Sequence, residues 1–112
     1  MNPSQIDRLL KSVPPTTEER HLKQVRGYAV TARRIDARIS TLRVDLQRAL
    51  RGVDDAVAGG GDSEAAADEA ITLAQELDSL ERVQPRVDSW LRVAVGAVAD
   101  DPGLQPFGEG PV

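Results

Sequence analysis

Histidine, the acidic side chains, a glycine triplet and a run of arginines are the residues of this chain with chemistry to offer. His21 is the only histidine. It falls one helical step before Val25 on an apolar line, which makes it a structural side chain rather than a catalyst. Carboxylates gather at Asp54, Asp55, Asp62, Glu64, Asp68 and Glu69, but their spacing is not that of a calcium loop. They read as solvated helix ends and caps. Gly59-Gly60-Gly61 invites a phosphate-loop reading, yet no Lys-Ser/Thr follows and no strand precedes, so it reads as a helix stop. No Glu-x-x-His occurs to build a di-iron bundle site, and no serine or threonine has an evident base. Cysteine is absent, which excludes thiolate catalysis and cysteine–zinc sites. The expectation is a protein that is not an enzyme and that uses no cofactor and no metal.

The arginines offer a different chemistry. Between Arg20 and Arg51 nine Lys/Arg stand against two Asp, and such a helix can lie along phosphates. Arg26, Arg33, Arg34 and Arg38 are the candidate nucleic-acid contacts. Their side chains spread around the helix instead of forming one stripe, and no aromatics interleave, so nucleic-acid binding ranks as the alternative. The charge is also split along the chain. Residues 1–58 hold 11 Lys/Arg and 7 Asp/Glu, and residues 59–112 hold 3 and 11. A basic half and an acidic half can neutralise each other by folding together, or one can be offered to a partner of opposite sign.

The elements that position these groups follow from apolar spacing. Aromatics are limited to Tyr28, Trp90 and Phe107, and Leu, Val, Ile and Ala supply the rest, which suits helix seams better than a β-sandwich or α/β core. A short helix is expected over 3–12, with Asn2 as cap, Pro3 at the first position and Gln5 completing a capping box. Its face is Ile6, Leu9, Leu10 and Val13. Pro14-Pro15 stops it. A second helix is expected over 16–58, with the Thr16-Thr17-Glu18-Glu19 run supplying another capping box. Along it Val25, Tyr28, Ala32, Ile35, Ile39, Leu42, Leu46, Ala49, Val53 and Ala56 alternate steps of three and four. That 3.5-residue period is the seam of a coiled coil. A third helix, 63–99, carries the seam Ala66, Ala70, Leu73, Leu77, Leu80, Gln84, Val87, Leu91, Ala94 and Val98, with a kink or a split at Pro85. Residues 102–112 are Pro/Gly-rich and expected to be a disordered tail.

The two seams meet in register when facing residue numbers add to 119, with the midpoint on the glycines. The expected fold is therefore all-α: a long antiparallel two-helix hairpin, coiled-coil-like, in one domain over 1–101. The register places Ile35 opposite Gln84 and sets Asp36 near Glu81 and Asp45 near Glu76, which repel. Apolar residues exceed one seam at the end away from the glycines. That end is expected to pack against a second copy, a partner, or the chain's own first helix. The candidate partner interface is Leu22, Val25, Tyr28, Val87, Trp90, Leu91, Val93, Ala94 and Val98, with Trp90 divided evenly between core and interface.

In gross layout, two helices of about forty residues around a short turn, the chain resembles the small type VII secreted helical-hairpin proteins. Where those carry Trp-x-Gly at the turn, residues 58–63 read AGGGDS, and no tyrosine follows Tyr28. The resemblance implies a secreted hairpin as a further reading. No apolar segment resembling a signal peptide opens the chain, and none is long enough to span a membrane. The expected role is a cytoplasmic accessory, adaptor or regulatory subunit that self-associates or docks on a larger protein. Arginine over lysine, with one asparagine, fits a GC-rich bacterial or phage genome.

Overall fold

The structure is a computed structural model and describes residues 1–99. The expected tail at 102–112 lies outside the described residues. Three helices follow in order: α1 (Pro3–Lys11), α2 (Glu19–Ala58) and α3 (Glu64–Ala99). Among the described residues there is no strand. Helices α2 and α3 pack closely as a hairpin, as the two heptad seams require. Every expected seam position, from Val25 to Ala56 and from Ala66 to Val98, is buried or half-buried.

The glycine triplet makes the turn by one definite device. Gly60 is left-handed, with φ of 71°. The Gly61 amide donates to the Ala56 carbonyl at 2.9 Å, and the Gly60 amide to that of Val57 at 3.1 Å. This pair of bonds is the Schellman arrangement that satisfies the last carbonyls of a helix. Of the three glycines only Gly60 needs the freedom of a missing Cβ. The Asp62 carboxylate then accepts from the Glu64 amide at 2.9 Å and opens α3. α3 runs through Pro85 as a single helix, so it is not split into two.

The other end of the sequence begins as its caps require. Asn2 accepts from the Gln5 amide, and the Gln5 side chain accepts from the Asn2 amide, at 2.9 and 3.0 Å. The start of α2 departs from expectation. Pro14–Thr17 forms a turn in which both the amide and the hydroxyl of Thr17 donate to the Pro14 carbonyl. Thr16, the expected cap with Glu19 three residues on, lies inside that turn and not at the helix start. The helix starts at Glu19 rather than residue 16, and the Glu18 carbonyl accepts the first amides, those of His21 and Leu22.

The chain divides into two compact units. The tip unit, 37–82, consists of the glycine turn and the flanking stretches of α2 and α3. Ile39, Leu42, Ala49 and Ala70 are its buried residues, while Leu73, Leu77 and Leu80 are half-buried. Gly52 faces Ala66, where a Cβ on the glycine would stand 3.9 Å from that of the alanine. That pair is within one residue of the expected register. The open-end unit comprises residues 1–36 and those from 83 onward. Here α1 docks on the hairpin: Ile6 is 0% exposed, Asp7 pairs with Arg33, and the Met1 ammonium pairs with Asp88. Burial spreads beyond the seam to Ala29, Val95 and Gly96. Of the three expected occupants of this end, the chain's own first helix is the one in place.

Candidate protein-interaction face

Heptad geometry gives a two-helix hairpin two flanks, one on either side of the seam. In the open-end unit α1 covers the flank carrying Ala29, Asp88 and Val95. On the opposite flank the described residues remain exposed or half-buried. On α3 it presents Val83, Arg86, Trp90, Val93 and Ala97, spaced by alternating threes and fours. On α2 it presents Gln24, Gly27, Thr31 and Arg34.

Trp90 dominates this flank. It is 40% exposed, and its ring lies 6.0 Å from that of Tyr28 at an interplanar angle of 47°. Tilted packing at that distance holds the indole in place against the seam. Across from it the α2 ridge is low. A Cβ built on Gly27 would meet nothing within 4 Å, and Thr31 turns its hydroxyl back to the Gly27 carbonyl at 2.8 Å. Among the described residues Glu18 borders this flank at its end, beside Ala97. Asp36 and Asp88 are on the covered one, Asp36 accepting from Gln84 at 3.4 Å; Asp7 is on α1. Arg34 and Arg86 are the flank's charges.

The residues singled out from sequence divide sharply. Val25, Val87, Leu91 and Ala94 are buried within the chain, so their surface is already covered by this molecule. Leu22, Tyr28, Val93 and Val98 are half-buried. Only Trp90 is exposed. Leu22, Val25 and Arg26 also line a cavity of about 380 Å³ with Leu10, Val13, Pro14 and Pro15, where the chain passes from α1 to α2. The sequence marks Val83 as an off-seam apolar residue of the second helix but gives no sign of Gly27 or Arg86. Gly27 shows no apolar signal.

The arginines are largely engaged with the chain's own acids. Arg33 pairs with Asp7. Arg38 donates from Nε and Nη2 to both Glu76 oxygens, at 2.6 and 2.9 Å. This fork holds the Glu76 carboxyl below the ordinary glutamate range, against a smaller opposing effect of desolvation. It also raises Arg38, with Asp45 adding to its field. Arg43 reaches Glu81 at 3.8 Å. The expected repulsions around Glu76 and Glu81 are thus relieved by arginines of the same chain, with no second chain required. Arg26 and Arg34 are exposed.

Among the described residues no three His, Cys, Asp or Glu side chains stand together as a metal ion would need. None of the described helices is long and apolar enough to cross a membrane. His21 is half-buried beside Thr17, Glu18 and Val98. Compared with known protein families, curated proteins and solved structures, the chain matches none.

Proposed function

We propose that the chain is a non-enzymatic protein-interaction module, a small accessory or regulatory subunit of the bacterial cytoplasm, and that the Trp90 flank is its docking face. The observation that carries this reading is the placement of Trp90. The largest side chain of the molecule remains 40% exposed on the flank that α1 leaves open, oriented by Tyr28 and on the flank that carries Arg34 and Arg86. A rigid, partly exposed tryptophan near cations is the composition of an interface anchor.

The test uses the protein as bait in an extract of its own host. Wild type, Trp90→Ala and a control, Val44→Ala, are compared by quantitative mass spectrometry. The control alters an exposed aliphatic of the other unit. A protein retained by wild type and by the control, and lost with Trp90→Ala, is the expected result. An identical set of captured proteins in all three contradicts the reading.

A further inference from the structure

The two units differ in charge. Residues 37–82 hold five Lys/Arg and ten Asp/Glu; residues 1–36 with 83–112 hold nine and eight. They differ in apolar exposure too. In the tip unit Leu50, Val57 and Ile71 are 49%, 63% and 55% exposed; Leu50 and Val57 stand at the α2 heptad position that Ala29 fills in the open-end unit. Asp54 and Glu64 border them at neighbouring positions of the same flank. The tip therefore offers aliphatic side chains beside Asp54 and Glu64, while the Trp90 flank offers an indole on a face that carries Arg34 and Arg86.

Building on the docking face assigned above, we infer that its occupant is the tip unit of a second copy of this chain, with Leu50 and Ile71 of one molecule seated beside Trp90 and Gly27 of the next. Charge selects this pairing over the like-with-like ones. Two acidic tips repel, as do two Trp90 flanks bearing Arg34 and Arg86, whereas tip and Trp90 flank attract. Surface charges act through solvent, so the association weakens with salt. The contact joins unlike surfaces and is heterologous, so each molecule keeps one free face of each kind until the assembly closes.

A complementation experiment reads this directly. Sedimentation or light scattering is run on wild type, on Trp90→Glu, on Ile71→Lys, and on the two variants mixed. Wild type is expected to gain mass with concentration and lose it with salt. Each variant alone is expected to associate roughly tenfold or more weakly. The mixture is expected to recover a one-to-one pair, because the intact tip of Trp90→Glu meets the intact Trp90 flank of Ile71→Lys. Gly27→Gln is a second variant that places bulk where a Cβ meets nothing, and it should block association while leaving the helix content intact. Trp90 is the sole tryptophan, so its emission and quenching report whether the indole is covered. A mixture that stays monomeric while wild type associates overturns the pairing. Wild type that remains monomeric at every concentration overturns the whole inference. The docking-face reading survives that second result if Trp90→Ala still loses a distinct protein from the host extract.

Discussion

Leu77 and Leu91 occupy the same heptad position of α3, two heptads apart, and both point into the seam. Leu91 is 0% exposed, whereas Leu77 is only half-buried. The two units differ in having or lacking a third helix. A pair of helices buries one stripe on each and leaves the stripe's edges wet. Where α1 lies across one flank, the edge positions Ala29 and Val95 become core as well. Leu42 of the tip is 0% exposed without a third helix, so what the comparison teaches is that a heptad seam sets which helices pair, and a third element extends burial to the edges of the seam.

The comparison makes its largest prediction at these two leucines. Leu91→Ala should cost about 3–5 kcal/mol and Leu77→Ala about 1–2, since a buried methyl loses more and leaves a cavity. Urea denaturation of both variants measures the gap, and equal costs would erase the distinction between the units. Next comes Ile6, the one fully buried side chain of α1. Ile6→Ala should cost about 2–4 kcal/mol and should make the Leu91 region resemble the Leu77 region. Amide hydrogen exchange should then accelerate around Val95, while residues 39–49 keep their protection. Uniform acceleration along both units would contradict the division.

A smaller pair of effects comes from two glycines with opposite signs. Gly60→Ala forces a Cβ into a left-handed residue and should destabilise by about 1–2 kcal/mol. Gly27→Ala replaces a mid-helix glycine over open space and should stabilise by about 1 kcal/mol. Thermal melts of the two should move in opposite directions. The smallest effect belongs to Glu76. Its folded value is lowered by the Arg38 fork, so the pair contributes fully above the ordinary glutamate range and is lost as pH falls through the lowered value. Both groups are solvent-exposed, and the contribution is correspondingly slight. The side-chain carboxyl resonance of Glu76 should titrate below the ordinary glutamate range, and Glu76→Gln should flatten the acid arm of the stability profile. A Glu76 titration at the ordinary glutamate value would remove the fork from solution.

Much of the fold was legible in the residues themselves. Threes and fours between Val25 and Ala56, and again between Ala66 and Val98, state a seam, and Gly59-Gly60-Gly61 at the midpoint of the 119 register states a reversal. The structure keeps that register at Asp36–Gln84, Tyr28–Trp90 and Gly52–Ala66 to within one residue. Other features needed three dimensions. α1 is amphipathic on its own, but nothing in its spacing says which flank it covers. Thr16 has the composition of a cap and is drawn into a turn because Pro15 suits the second position of one. The repulsion read at Asp45 and Glu76 assumed short side chains, whereas Arg38 is long enough to reach Glu76. The Trp90 flank was half legible: the indole stood out, and the glycine facing it did not.

The antiparallel pairing underlies every element of this account, and one distance tests it most directly. The chain has no cysteine, so replacing exposed Lys23 and Arg92 with cysteine gives two unique sites for spin labels. Helices packed about 8–10 Å apart should bring the labels within roughly 20 Å of each other in a single molecule. A separation beyond about 40 Å would mean that α2 and α3 do not lie side by side.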